Sequence, residues 1–333
     1  MRIRKKALFW ILGIIILFVC FFLFLDKSKM MSFPIVSNFQ DRIIEKQWAH
    51  PEILQEESGS IYTLGENNKL VRFNVGTNKW EKTKSPYIDS ERWGISKTTL
   101  ACFVSPEDVE KKKISIFSMP EFRLINTINL DVNSYSLAMP YPDNNGKYVA
   151  VTDPIRNSLV IFSISNGEKI FEYNYFSGDL IDWSSDSTKI LFSSFDENDG
   201  AKFRTASFIN VYDLRTRTFE KICQGWQPRW GRDENKVLFR KSVYGYSCGD
   251  IFEFNRKTKK ERLLLHNIRL YDYCWSPSGK NFLVAIPQKA FSLYHWPQWL
   301  TVINYDNPKL RFIVLSGLNS SGNSNERFFW TDN

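Results

Sequence analysis

A tryptophan recurs in this chain about every 45 residues, and the residues that follow it recur as well. The clearest copies are D-W-S-S-D-S-T-K-I-L-F at 182–192, R-W-G-R-D-E-N-K-V-L-F at 229–239 and C-W-S-P-S-G-K-N-F-L-V at 274–284. Trp183 and Trp230 are 47 residues apart, and Trp230 and Trp275 are 45 apart. In each copy a short strand ends at the Trp, a polar turn follows, and an apolar run opens seven residues after the Trp. Two β-rich runs around a Ser/Asp/Gly/Asn turn read as a hairpin. A period of this length filled with short strands is the mark of propeller blades.

Weaker copies extend the repeat. Trp93 opens one, with Leu100-Ala101-Cys102-Phe103 at the same offset. Tyr141 stands in the Trp place of another, in Y-P-D-N-N-G-K before Tyr148-Val149-Ala150-Val151. A second hairpin follows in every unit. Its first strand is expected at 70–75, 114–119, 159–164, 208–214, 250–256 and 300–306, all rich in Val, Ile, Phe and Tyr. Six copies predict an all-β fold of six four-stranded blades, with seven as the alternative. The last residues, Phe328-Phe329-Trp330-Thr331-Asp332, read as a seventh unit cut off after its Trp, while the first unit lacks a convincing Trp hairpin. The C-terminal strand is therefore expected to complete the first blade, which removes unpaired strand edges.

W-S-P-S-G-K at 275–280, followed by a β run, resembles the Trp-Ser-Pro-Asp-Gly-Lys repeat of TolB-type propellers, relatives of the WD-repeat proteins. The resemblance covers about residues 60–333. Ser278 stands where the pattern has Asp, and Ser187 or Asn235 where it has Gly. It implies four-stranded blades, a frequent place outside the cytoplasm, and a frequent role as a protein-interaction platform. It implies no catalytic residue. In the competing Asp-box hairpin of sialidases the aromatic follows the turn, whereas here it precedes it.

Residues 7–25 are nineteen in a row without a charge, long enough to cross a bilayer as a helix. Arg2, Arg4, Lys5 and Lys6 precede them, which predicts a cytoplasmic N-terminus and an extracytoplasmic remainder, periplasmic or extracellular. The run exceeds an ordinary signal-peptide core, and no small-residue cleavage site follows, so a signal anchor is favoured over a cleaved signal. Cys20 invites a lipoprotein reading, but Val19 precedes it and apolar residues continue to Leu25. The expected organisation is a basic tail at 1–6, an anchor at 7–25, a tether at 26–50 and the propeller at 51–333.

The net charge is +8, and the basic tail carries half of it. The basic runs at 111–113 and 256–260 fall in or beside turns and read as solvated, so no nucleic-acid partner is expected. Four cysteines lie outside the anchor. Cys102 sits in an apolar strand run, and Cys223 and Cys248 fall near one rim of neighbouring blades, where a disulfide would fit an extracytoplasmic setting. Cys274 is an alternative partner. No C-x-x-C occurs, so neither a zinc site nor a thioredoxin-like site is expected.

The three histidines, His50, His266 and His295, form no nucleophile elbow, zincin motif or phosphate loop, and no motif calls for a cofactor. The acidic loop D-E-N-D-G at 196–200 is too short for a calcium loop and reads as a solvated turn. The candidate binding surface is aromatic: Tyr244 and Tyr246 in V-Y-G-Y-S-C, and Phe291, Tyr294, His295, Trp296 and Trp299 in F-S-L-Y-H-W-P-Q-W. Both segments connect a second strand to a third, hence lie on one rim. Such residues dominate protein-binding hot spots, and their planar rings also suit a sugar face or a small-molecule ligand. Packing between blades is the competing role for Trp296 and Trp299, and packing is the expected role of Trp183, Trp230 and Trp275. Two functions follow: a non-enzymatic, membrane-anchored binding module, or a tethered enzyme acting on envelope glycans or peptides. The second requires paired carboxylates across the propeller channel.

Overall fold

The computed structural model describes residues 51–331 except 56, 66–67, 89–91, 106–107, 109–112, 131–138, 154–156, 196–206, 242–248, 269–272, 288–297, 308–310 and 319–327. Among the described residues a 3-10 turn at Pro51–Leu54 precedes 24 strands in six four-stranded antiparallel sheets. The first sheet holds β1 (Ser60–Leu64), β2 (Leu70–Asn74) and β3 (Lys79–Lys82). The second holds β4 (Trp93–Ile95), β5 (Thr99–Cys102), β6 (Lys113–Ser118) and β7 (Leu124–Asn129). The third holds β8 (Met139–Pro142), β9 (Tyr148–Asp153), β10 (Ser158–Ser163) and β11 (Lys169–Tyr173). The fourth holds β12 (Phe176–Trp183), β13 (Lys189–Phe195), β14 (Ser207–Asp213) and β15 (Thr218–Gln224). The fifth holds β16 (Trp226–Trp230), β17 (Lys236–Lys241), β18 (Gly249–Asn255) and β19 (Lys260–Ile268). The sixth holds β20 (Tyr273–Trp275), β21 (Asn281–Pro287), β22 (Gln298–Asn304) and β23 (Arg311–Leu318). The last strand, β24 (Phe328–Thr331), returns to the first sheet and pairs with β1, Ser60 opposite Thr331 and Thr63 opposite Phe328. This is a six-bladed propeller, as the six copies of the second hairpin predict. Among the described residues no helix is long and apolar enough to cross a membrane; the expected tail, anchor and tether lie outside the described residues.

Burial grades across each blade. In the second blade β4 and β5 are buried throughout, while β7 is exposed at most positions. The opening strands β4, β8, β12, β16, β20 and β24 thus face the axis, and the fourth strands form the outer wall. The core lies between sheets: Ala101, Ile114 and Ile116 of one blade pack with Val149, Val151 and Val160 of the next. Each opening strand ends in the repeated turn, and its chemistry explains the motif. The residue after the aromatic, or after Tyr141-Pro142, caps the turn: Ser184 Oγ accepts the Lys189 N–H (2.9 Å), Ser276 Oγ the Asn281 N–H (3.1 Å), and Asp143 Oδ1 the Tyr148 N–H (2.8 Å). The turn then needs a left-handed residue, supplied by Gly146 (φ +68°), Gly279 (φ +67°) and, without the help of a missing Cβ, Ser187 (φ +60°).

Candidate functional site

The ends of the six opening strands surround a central cavity of about 490 Å³, to which every blade contributes. Its wall is the ring of framework aromatics. Trp183 and Trp230 are each 6% exposed, and Tyr141 is 4% exposed. The Trp183 indole N–H donates to the Tyr141 carbonyl (3.0 Å), and the Trp275 indole N–H to the Trp230 carbonyl. Each therefore ties its blade to the matching position of the blade before. Trp330 departs from this rule and donates to the Ser58 carbonyl (3.0 Å). Trp230 departs further: its indole Nε1 is buried and makes no hydrogen bond, while its main-chain N–H donates to Asp182 Oδ2 (2.8 Å). A buried donor without an acceptor costs about 1–3 kcal/mol, which a bound acceptor would relieve.

Three cations and one carboxylate line the cavity: Lys97, Arg229, Arg232 and Asp182. Arg229 is only 5% exposed and spans three blades, donating through Nε to the Tyr273 carbonyl (2.9 Å) and through Nη1 to the Ile181 carbonyl (2.9 Å). Asp182 stands 3.9 Å from Nη1 and supplies the counter-charge. Arg232 is exposed, and its stem crosses Gly279, where a Cβ would come within 3.0 Å of Arg232 Cγ. Asp182 is the single carboxylate among the described lining residues, and it is engaged by Trp230 and Arg229. Among the described residues no three His, Cys, Asp or Glu side chains gather as metal ligands.

Most of the residues the sequence singled out are not among those the structure describes. Tyr244, Tyr246, Phe291, Tyr294, His295 and Trp296 lie outside the described residues, and so does the acidic loop at 196–200. The backbone of Trp299 pairs with Ile286 in β21. The strands that lead into the two aromatic segments, β17 ending at Lys241 and β21 at Pro287, finish on the side of their sheets opposite the cavity. Cys223 lies on β15, half-buried, and burial, followed by the Glu261 charge, pushes its thiol up to about 12; Cys248 lies outside the described residues. Sequence reasoning missed Asp182, Arg229 and Arg232. The available signal was a charged residue directly before the framework Trp in two consecutive units, D-W and R-W.

No protein-family model matches this chain, and no curated protein matches its sequence. Among solved structures the fold is similar to that of a protein assigned as a TolB from Agrobacterium tumefaciens, with a TM-score of 0.57, 12% identity, and coverage of 82% of this chain and 98% of that one. It is also similar to TolB from Acinetobacter baumannii, with a TM-score of 0.54, 14% identity, and coverage of 79% of this chain and 64% of that one. The chain thus spans a little under two thirds of the second protein's length. The likeness is one of fold.

Proposed function

We propose that this chain is a membrane-anchored, extracytoplasmic docking module without catalytic chemistry, and that its central cavity receives a segment of a partner protein. The observation that carries this reading is the composition of the cavity. Exposed Arg232 and the lining Lys97 give it positive charge, the framework aromatics give it apolar walls, and Trp230 Nε1 is a donor in want of an acceptor. An extended segment with acidic side chains and free carbonyls matches that set. Both TolB structures share the fold, and the TolB-type resemblance of the Trp repeat implies a protein-interaction platform. A tethered hydrolase would need paired carboxylates across the mouth, and among the described lining residues the single carboxylate, Asp182, is already engaged.

The anchor at 7–25 is part of the same reading. Glu57, near the start of the described chain, meets Ser276 and Ser278, and both serines line the cavity. A tether over 26–50 would then join the ring at its cavity end, with a reach of at most about 85 Å if fully extended. The test is photo-crosslinking in intact cells with a reactive residue at position 185, on the exposed cavity lining, or at position 296. A discrete protein adduct at 185, lost when Lys97 and Arg232 are changed to Glu, is the expected result. An adduct at 296 alone would move the docking face to the aromatic loops. No protein adduct at either position would replace the protein partner with a glycan or small molecule.

A further inference from the structure

A second cleft, of about 430 Å³, lies on the wall between the first and second blades. Lys82, Thr83 and Lys84 at the end of β3 form one side, and Pro120, Glu121, Phe122 and Arg123 between β6 and β7 form the other. Tyr62 of β1 and Arg72 of β2 line it as well. Four cations therefore meet there against one carboxylate, Glu121.

Two of these groups are not ordinary surface residues. Tyr62 is 1% exposed, within an apolar cluster that includes Leu70, Trp93 and Leu100. Its hydroxyl proton finds no acceptor, although a buried tyrosine O–H normally finds a partner. Arg72 is fixed across the β2–β3 pair by Glu81, whose Oε2 accepts from Nε at 3.2 Å and from Nη2. The Arg72 charge is held first by Glu81, against the opposing effect of burial, and then by the Tyr62 hydroxyl. That hydroxyl is thus beside the guanidinium, which can only donate, so its own proton has no acceptor. It is left as a buried donor beside a cation, in a cleft of positive charge.

We propose that this cleft binds a phosphate-bearing ligand, with the Tyr62 hydroxyl as its neutral donor and Lys84 and Arg123 as its principal counter-charges. A phosphate group offers three strong acceptor oxygens and, as a monoester, close to two negative charges at neutral pH. Arg and Lys are the side chains that meet that chemistry best. The volume exceeds a bare phosphate and falls in the range of ligand sites, so the group is expected on an organic molecule. Soluble phosphate esters and phospholipid headgroups share this chemistry, and the experiment separates them.

The full chain in mild detergent is titrated calorimetrically, at fixed ionic strength, with inorganic phosphate and with glycerol phosphate. In a parallel arm the micelles contain phosphatidylglycerol or phosphatidylcholine. Saturable binding of glycerol phosphate identifies a soluble ester. A response to phosphatidylglycerol micelles alone identifies a lipid headgroup, and either outcome supports the site. Tyr62→Phe is expected to weaken binding about tenfold, the loss of one hydrogen bond to a charged group. Without ligand this variant should melt close to the parent, because it deletes a buried hydroxyl whose proton has no acceptor and Glu81 still holds Arg72. Lys84→Gln with Arg123→Gln, both on exposed side chains, should abolish binding with the fold unchanged, and this pair decides the matter should Tyr62→Phe misfold. Absence of binding to every phosphate probe, or parental affinity in the Lys84/Arg123 double variant, overturns the proposal.

Discussion

Arg229 is a charge buried at the centre of a ring, and its environment explains why it is tolerated. Burying a guanidinium is costly unless its donors are met. Here carbonyls from the neighbouring blades on either side accept from it, and Asp182 stands nearby. Its chemistry is thus directed at holding blades together, whereas Arg232 and Lys97 are exposed at the cavity. Asp186 shows the same economy on an exposed turn. Desolvation pulls its pKa up, but hydrogen bonds from Ser184 and Thr188 and the Lys189 charge outweigh that and hold it at about 2. The folded state therefore keeps Asp186 ionised at a pH where the unfolded chain has protonated it. Its contribution to stability is present above about pH 4, the unperturbed value, and is lost as the pH falls toward 2. Asp186→Asn should lower stability above about pH 4, where the contribution is present, and converge on the parent as the pH falls toward 2, which flattens the acid limb of the pH–stability curve in that window. An acid limb identical to the parent's would show that the turn does not hold the carboxylate in this way.

At the level of elements, the close approach of opening strands is the tightest constraint. A Cβ at Gly94 in β4 would stand 2.1 Å from the Pro140 carbonyl oxygen in β8. Both sides of that contact are backbone, so no side-chain movement relieves it. Gly94→Ala is expected to lower the unfolding free energy by about 3 kcal/mol, the upper range of overpacking, measured by urea denaturation. Gly76→Ala, whose nearest atom would be Asn74 Oδ1 at 3.5 Å, is the control and should stay within about 0.5 kcal/mol. The elements themselves were legible in the sequence because each unit carries a local signature. The Trp turn at 183–190 needs a capping Ser and a left-handed residue, and those appear as letters. A second turn signature went unread: Asn74, Asp213 and Asn255 each accept backbone N–H groups two or three residues on, ahead of Asn78, Arg217 and Lys259 at positive φ. It joins the third and fourth strands, and its N/D-x-x-T spacing is as regular as the Trp motif. The cavity was not legible in this way. Ile181, Arg229 and Tyr273 are 44 to 48 residues apart, and only the ring brings them together. The aromatic loops drew attention because hot-spot residues cluster in sequence there, whereas the charges around the cavity are spread one or two to a blade.

For the whole molecule the question is what keeps the ring shut, since its two ends belong to one blade. Two contacts do so. In the first, β24 supplies the axial strand of the first blade, where Trp330 is 8% exposed and Phe329 packs on Trp93 of the next blade at 5.5 Å between ring centroids. In the second, Glu57, just ahead of β1, accepts through Oε1 from Ser276 Oγ (2.7 Å), from Ser278 Oγ and from Asn281 Nδ2 (2.7 Å), while Asn281 Nδ2 also donates to the Ile53 carbonyl (3.1 Å). The first contact closes the sheet, and the second fastens the entering chain to the turn of the last blade. Deleting residues 328–333 removes a buried tryptophan, worth about 3–5 kcal/mol by itself, and exposes the inner edge of β1. The melting temperature should fall by about 10 °C or more, and the bared edge should promote aggregation on heating. Glu57→Ala leaves the strand in place, so it should melt between the parent and the truncation and still unfold in one transition. Equal melting temperatures for all three proteins would mean that the ring holds through its blade-to-blade packing alone, and that neither contact closes it.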